Sequence, residues 1–350
     1  MNNRIELIER MAKGYIPTPQ ELALLTSCAD STVLARLYQT ADEVRKIHCG
    51  NAVQVRAIIE FSNYCRCECA YCGLHAGNRQ VKRYRMSGEE ILAAAKEAVE
   101  AGYQTVILQS GEDLSYTAEE IGRLVREIKA MGKVAVTLSC GERPFADYAF
   151  WRRCGADRYL IKHEISDPEI YNRYHPHSTF QNRIACQAEL YRLGYELGGG
   201  FMTGLPGQTP LILANDLLLL QRMKVAMAGI GPYICHGDTA LRGSPDGDPA
   251  LTLRVVALAR LLLPDANLPS TTALNVKGGL QNALHCGANV IMQKATPFRY
   301  RALYDIYPGR DSKDIPLKEQ FAALREQLAV LGRTIYGDKT PLSSKTDGKP

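Results

Sequence analysis

Two patterns of hydrophobic positions divide the chain near residue 50. Before that point, apolar residues recur every three or four positions, which predicts short helices over residues 5–13, 17–28 and 31–47. After it, short runs rich in β-branched residues alternate with longer segments of helical periodicity. Eight such runs are predicted as strands. They are residues 52–61, 105–109, 134–138, 158–163, 196–202, 227–233, 269–274 and 289–292.

The segments between these runs carry helix start signals. Ser87 with Glu90, and Thr117 with Glu120, have the spacing of a capping box, in which each residue bonds the backbone of the other. Strands that alternate with helices form parallel sheets, because a parallel connection needs a crossover.

Eight units in about 250 residues favour an α/β fold of the closed (β/α)8 TIM barrel type over an open doubly wound sheet. A dinucleotide-binding sheet would have a GxGxxG motif after its first strand, and none stands there in this sequence. We therefore predict an N-terminal helical extension that covers the barrel (1–48), the barrel itself (49–310), and a C-terminal helix and tail (311–350).

Composition and charge narrow the class of protein. The 350 residues are 46% hydrophobic and 23% charged, which is ordinary for a globular protein with a core. No apolar run is long enough to span a membrane, and Glu6 and Glu9 stand where a signal peptide would be apolar, so we expect a cytoplasmic protein. The formal net charge of +5 is spread along the chain without dense basic blocks, so we expect no nucleic acid partner.

The cysteines point to a metal site. There are eleven, an odd number that suits no disulfide framework. Cys65, Cys69 and Cys72 stand as CxxxCxxC directly after the first predicted strand. Three thiolates on one loop can bind three irons of a cubane and leave the fourth open to another ligand. The alternative is a zinc site with Cys67 as fourth ligand; in the iron–sulfur interpretation we expect Cys67 to point away from the cluster.

Polar residues follow most of the predicted strands. A barrel gathers its chemistry at the carboxyl ends of its strands, so these residues are candidates for the site. Glu164 offers a carboxylate to amine or hydroxyl donors, and Arg183 could pair with a ligand carboxylate as a bidentate donor. The other candidates are Gln109, Gly111 and Glu112 after the second strand, Ser139 after the third, Lys162 after the fourth, and Thr271 and Thr272 after the seventh.

The cysteine spacing, with Tyr71 before the last cysteine, resembles the signature of the radical S-adenosylmethionine (radical SAM) superfamily. The resemblance implies one [4Fe-4S] cluster and SAM as cofactors, with the amine and carboxylate of SAM on the open iron. It also implies reductive cleavage of SAM to methionine and a 5′-deoxyadenosyl radical. The turn at Gly111 and Glu112 corresponds to one whose backbone receives the amine of SAM.

A longer series of motifs, over roughly residues 50–310, resembles the HydE family of [FeFe]-hydrogenase maturases. The series is IIEFSNYCRCECAYCGL, KRYRMSGEEI, TVILQSGED, GADRYLIKHE, FMTGLPGQT, LPDANLPSTTA and GANVIM. The resemblance implies assembly of the di-iron subcluster of the hydrogenase H-cluster from a small iron–carbonyl–cyanide–cysteinate substrate. Other hydrogenase maturases and an electron donor would be partners.

The same resemblance implies two groups of site residues. Those at SAM would be Tyr71, Gly111, Glu112, Ser139, Glu164 and Arg183, and those at the substrate would be Gln109, Lys162, Thr271 and Thr272. Two departures matter. Some members carry C-terminal cysteines for a second cluster, and no cysteine follows Cys286 here, so we predict a single cluster. Family members often have arginine where Lys162 stands, and lysine lacks the planar fork of a bidentate contact.

The sequence is also compatible with two other functions. Another enzyme of the biotin-synthase-like group, such as a methylornithine synthase, would rearrange an amino acid on the same barrel. A non-catalytic iron–sulfur scaffold would carry clusters without cleaving SAM.

Overall fold

The computed structural model describes residues 2–276, 280–309 and 314–338. It begins with three helices at the predicted positions: α1 (Asn2–Ala12), α2 (Pro19–Thr26) and α3 (Ser31–Cys49). Helix α2 starts at a capping box between Thr18 and Glu21, with Pro19 in its first turn. The Asp30 carboxylate caps α3, and Gly50, with a φ of 68°, ends it.

Eight parallel strands follow, and they form the predicted barrel. They are β1 (Ala52–Ser62), β2 (Thr105–Ser110), β3 (Ala135–Ser139), β4 (Arg158–Leu160), β5 (Glu196–Thr203), β6 (Met227–Pro232), β7 (Pro269–Ser270) and β8 (Val290–Lys294). The order of paired strands is β6-β5-β4-β3-β2-β1-β8-β7. A parallel bridge between Met227 and Asn267 joins β6 to the segment entering β7, so the barrel is nearly closed. A ninth strand, β9 (Thr334–Ile335), pairs with the start of β1.

Helices cover the outside of the sheet. In chain order they are α4 (Gly88–Glu100), α5 (Ala118–Ala130), α6 (Phe145–Arg153), α7 (Pro168–Tyr174), α8 (Phe180–Arg192), α9 (Pro210–Arg222), α10 (Pro249–Leu262), α11 (Thr272–Val276), α12 (Leu280–His285), α13 (Phe298–Arg301) and α14 (Leu317–Val330). Both predicted capping boxes are present, at the starts of α4 and α5. Helix α2 packs on α9, and α1 and α3 pack on α10, so the N-terminal helices cover one side of the barrel.

Two predicted strands are wrong in extent. The strand predicted over 158–163 ends at Leu160, and the one predicted over 269–274 is only Pro269–Ser270. Residues Thr272–Val276 are helical because Thr271 acts as the cap: its hydroxyl accepts from Leu274 N–H at 3.4 Å and its carbonyl from Asn275 N–H at 3.0 Å. The predicted C-terminal tail beyond residue 338 lies outside the described residues.

The two faces of β1 differ in chemistry. Val53, Val55, Ala57, Ile59 and Phe61 belong to the apolar core between sheet and helices. The alternate positions face the lumen, where the fully buried Arg56 guanidinium reaches Met227 Sδ on β6 at 2.9 Å. The lumen therefore holds charged side chains, and it opens at the carboxyl ends of the strands. Within the described residues, no helix has the length and apolar character needed to cross a membrane.

Candidate active site

The loop after β1 brings the predicted cysteines together. Cys65, Cys69 and Cys72 line one cavity of about 160 Å³ at the mouth of the barrel. The Arg83 guanidinium holds the loop in shape, since it donates to the carbonyls of Asn63 (2.5 Å), Leu74 (2.9 Å) and His75 (2.7 Å). Tyr71, Gly111, Glu112 and Arg183 line the same cavity. The site thus unites all three predicted ligands with four of the six residues predicted at SAM.

The surroundings of Cys65 and Cys72 favour the protonated thiol when no metal is bound. A hydrogen bond with Cys67 and then burial raise the pKa of Cys65, and burial raises the pKa of Cys72 to about 12. A bound metal must therefore displace these protons, so loading of the site releases protons. Cys67 does not point away from the site, contrary to expectation: it is buried, lines the same cavity and hydrogen-bonds with the side chains of Cys65 and Cys69.

The described residues also bear on the zinc alternative. None of their His, Cys, Asp and Glu side chains form a group of three that could hold a single metal ion. A zinc site would require four such ligands around one point, whereas in a cubane each cysteine binds its own iron. The donor set of three thiols on one loop fits an iron–sulfur cluster.

Close contact between the turn after β2 and the cysteine loop depends on Gly111. A Cβ there would lie 2.2 Å from the Tyr64 carbonyl oxygen and 2.8 Å from Cys65 Cβ, so only glycine fits. The approach lets Glu112 N–H donate to Cys65 Sγ at 3.3 Å. The Glu112 carboxylate accepts from Arg66 Nε at 3.1 Å, which ties the turn to the loop a second time.

Arg183 is held by a carboxylate that the sequence reasoning did not single out. Its Nε donates to Glu142 at 2.6 Å, and its Nη1 donates to the Lys162 carbonyl at 2.7 Å. Glu142 also accepts from Ser178 Oγ (2.7 Å) and from Asn182 Nδ2 (2.6 Å). These bonds fix the guanidinium at the cavity wall. The signal for Glu142 was its place after β3, three residues beyond Ser139.

Tyr71 is oriented by a second residue that was not predicted, His175. The Nδ1–H of His175 donates to the Tyr171 carbonyl at 3.0 Å, so its Nε2 is the acceptor and receives the Tyr71 hydroxyl at 2.5 Å. Burial, with the nearby Arg183 charge, lowers the pKa of His175 to about 3. The imidazole is therefore neutral and keeps this accepting nitrogen at physiological pH.

Glu164 has a strained backbone and an unsatisfied carboxylate. Its φ of 62° lies in the left-handed region, which residues other than glycine rarely adopt. Its Oε2 is buried without a hydrogen-bond partner among the described residues. Burial raises the pKa of Tyr71 and of Cys72, and the nearby Glu164 carboxylate adds to both shifts. A buried oxygen without a donor is costly, so this carboxylate suits a ligand that brings N–H or O–H groups.

The remaining candidates lie deeper in the barrel or on its far side. Gln109 and Ser139 are register partners on β2 and β3. The Lys162 side chain crosses the space left by Gly229, where a Cβ would lie 3.1 Å from Lys162 Cε. None of these three residues lines the cysteine cavity.

Thr271 and Thr272 lie at the start of α11 rather than on a strand. The Thr271 hydroxyl lies against Gly231 of β6, where a Cβ would be 2.7 Å away. Neither threonine lines the cysteine cavity.

Barrel and cysteine loop together define a radical SAM enzyme, and comparison with known proteins agrees: the profile of the Radical SAM superfamily matches residues 59–217. Among curated proteins, the chain is 48% identical to the [FeFe] hydrogenase maturase subunit HydE of Thermotoga maritima over 307 residues, which is 87% of this chain and 88% of that protein. The chain therefore belongs to the HydE family of hydrogenase maturases within that superfamily.

More distant relatives share the architecture. The chain is 28% identical to 3-methylornithine synthase of Methanosarcina barkeri over 295 residues, 83% of each protein. The crystal structure of methylornithine synthase (PylB) superposes with a TM-score of 0.81 at 24% identity, over 94% of this chain and 97% of that one. This last likeness supports the fold alone.

Proposed function

We propose that this enzyme helps to assemble the di-iron subcluster of the [FeFe]-hydrogenase H-cluster, and that it acts on a small iron–carbonyl–cyanide–cysteinate substrate supplied by another hydrogenase maturase. The proposal rests on membership of the HydE family and on one observation: the three cysteines share a cavity with Arg183. The Glu164 carboxylate, whose Oε2 has no hydrogen-bond partner among the described residues, is near enough to act electrostatically on Cys72. A site of this kind offers thiolates to a cluster, a cation to a carboxylate and an anion to an amine.

The residues would divide the work as follows. Cys65, Cys69 and Cys72 would hold a single [4Fe-4S] cluster. When bound, the reduced cluster supplies the electron that cleaves SAM into methionine and a 5′-deoxyadenosyl radical. SAM would be held by Tyr71, Gly111, Glu112, Ser139, Glu164 and Arg183.

Charge explains how two of these residues would bind SAM. Arg183, held in place by Glu142, would donate hydrogen bonds to the carboxylate of SAM. Glu164 would accept hydrogen bonds from its ammonium or ribose hydroxyls, which would satisfy the buried oxygen. The glycine turn at Gly111 would let backbone approach the bound ligand closely.

The substrate would lie in the lumen, lined by Gln109, Lys162, Thr271 and Thr272. An iron–cyanide species is anionic, and Lys162 supplies positive charge beside Gly229 of β6. Gly229 and Gly231 let the Lys162 and Thr271 side chains lie close against the backbone of β6 on the lumen side. Enclosure within the barrel would also protect a reactive carbon radical from water and other quenching groups.

We place this activity in the cytoplasm, with an electron donor as a further partner. All eleven cysteines lie within the described residues, and all of them are free thiols, as expected in a reducing compartment.

The test is anaerobic reconstitution with iron and sulfide, followed by reduction in the presence of SAM. Methionine and 5′-deoxyadenosine are then quantified with and without the iron–cysteinate precursor. We expect cleavage of SAM, and a shift from 5′-deoxyadenosine to an adenosylated product when the precursor is added. An intact cluster that cleaves no SAM would favour the scaffold function. Turnover of an amino acid in place of the precursor would favour a methylornithine synthase activity.

A further inference from the structure

A group of exposed apolar and cationic side chains surrounds the outer side of the cysteine loop. Tyr64, Leu114 and Phe145 are 36%, 51% and 45% exposed. The side chains of Arg66 and Arg85 are 51% and 39% exposed. We call these five residues the rim face. Apolar side chains exposed together commonly mark a site of contact with another molecule.

Direct contacts show that the first half of the rim face is continuous. The Arg85 guanidinium lies 3.7 Å from the centre of the Tyr64 ring. The same guanidinium donates to the Asp113 carboxylate at 2.6 Å, and Leu114 is the next residue in the chain. These contacts bring the end of β1, the loop before α4 and the turn after β2 to one surface.

A groove completes the rim face on its other side. Arg66, Leu114 and Phe145 line a cavity of about 440 Å³ above β2 and β3. Its floor includes Glu142, so the groove lies directly outside the wall that carries Arg183.

The rim face presents positive charge. Arg66 and Arg85 each pair with a carboxylate, but the side chains of those carboxylates, Glu112 and Asp113, are only 9% and 2% exposed. A molecule that approaches from solvent therefore meets the guanidinium groups and not their partners. Interfaces between redox partners are typically small and bind weakly. Arginine and aromatic side chains are enriched at the centres of protein interfaces.

The rim face is also the part of the surface nearest to Cys65 along the chain. Tyr64 and Arg66 flank Cys65 directly, and Glu112 N–H contacts its sulfur. Two residues of the rim face are therefore direct chain neighbours of a predicted cluster ligand.

We propose that the rim face is the docking surface for the protein that reduces the cluster, and that this partner is a small acidic one-electron carrier. The carrier would give one electron to the cluster and leave in its oxidised form. The proposal rests on the proposed function, because it presumes a redox-active cluster at Cys65, Cys69 and Cys72. Charge complementarity with an acidic partner argues for this occupant.

The experiment compares Leu114→Glu with Leu24→Glu in the reconstituted enzyme. Leu24 is 52% exposed on α2, so the two changes are matched in exposure and charge and differ in place. The probe is a reduced acidic ferredoxin, and the readout is the rate of cluster reduction followed by absorbance without SAM. Dithionite, which needs no protein docking, reduces the same samples in parallel.

We expect the apparent KM for ferredoxin to rise at least about fivefold in Leu114→Glu and to stay unchanged in Leu24→Glu. Dithionite should reduce all three proteins at the same rate. Raising ionic strength from about 50 to 200 mM should slow the ferredoxin reaction of the parent.

Equal ferredoxin rates in both variants would overturn the proposal. So would a loss of hydrogenase maturation in Leu114→Glu with ferredoxin reduction intact, because the face would then serve another protein. Failure of the parent to assemble a reducible cluster would instead count against the proposed function.

Discussion

The pairing of Glu142 with Arg183 gives a prediction whose size follows from burial. The side chains are 7% and 11% exposed, so the two charges are largely removed from water. Truncation of one partner of such a pair leaves the other charge buried alone and costs about 3–5 kcal/mol. We therefore expect Glu142→Ala to unfold at a markedly lower urea concentration than the parent.

Glu142→Gln separates charge from shape. The amide keeps one oxygen that can accept from Arg183 Nε, but its NH2 group cannot accept from Asn182 Nδ2, so the charge assistance and one hydrogen bond are lost, about 1–3 kcal/mol. Because Arg183 would be held less firmly at the cavity wall, the dissociation constant for SAM should rise about tenfold, which corresponds to about 1.4 kcal/mol. The dissociation constant is measured by titrating the reconstituted enzyme with SAM and monitoring the EPR signal of the reduced cluster.

A matched control lies on the same helix. Glu189 and Arg192 of α8 pair at 2.6 Å, the same distance as Glu142 and Arg183, but the Arg192 side chain is 70% exposed. Glu189→Gln should therefore change neither SAM binding nor the urea midpoint. The reasoning would be refuted if Glu142→Gln bound SAM as tightly as the parent, or if Glu189→Gln weakened SAM binding equally.

Three further predictions concern the cysteine loop, a buried acid and the lumen. Cys67→Ala should retain a full cubane after anaerobic reconstitution, whereas Cys69→Ala should not; iron and sulfide analysis decides, and a full cubane in Cys69→Ala would show that Cys69 is not a ligand. Burial raises the pKa of Asp216 above its ordinary 3.8, so the folded state favours its protonated form. The resulting stability is complete below pH 3.8 and is lost as the pH rises through the raised pKa. Asp216→Asn should therefore show a shallower decline in the free energy of unfolding from about pH 4 upward. Equal slopes in urea unfolding at several pH values would contradict this. Gly231→Ala places a methyl group 2.7 Å from the Thr271 hydroxyl and should cost about 1–3 kcal/mol. The double variant with Thr271→Ala should recover most of that loss; if it recovers none, Thr271 is not the cause.

The features that could be predicted from the sequence depend on residues close together in the chain. The capping boxes at Ser87 and Thr117 need only residues three positions apart, and both occur. The β-branched run of β1 predicts its extent to within one residue. The strand at Thr271 failed because β propensity competes there with a threonine cap, and the cap prevailed.

The candidate site divides in the same way. Three cysteines on one loop can be identified by spacing, and the structure brings them to one cavity. The partners of Arg183 cannot be identified by spacing, because Glu142 is 41 positions away in sequence and contacts Arg183 only in the folded barrel. The predicted orientation of Cys67 was wrong. The direction of this side chain depends on how the rest of the loop folds back, which includes a hydrogen bond from Ala76 N–H to the Cys67 carbonyl at 2.8 Å.

The left-handed backbone at Glu164 has a consequence for engineering. Such a conformation costs a residue with a side chain on the order of 1–3 kcal/mol, and glycine would avoid most of it. A search for thermostable variants that scores folding alone should therefore favour Glu164→Gly and report it as an improvement. Such a search would remove a buried carboxylate oxygen that has no hydrogen-bond partner among the described residues and that we propose for SAM. Stabilising substitutions in this barrel should therefore be sought at other positions, where folding stability and activity do not compete.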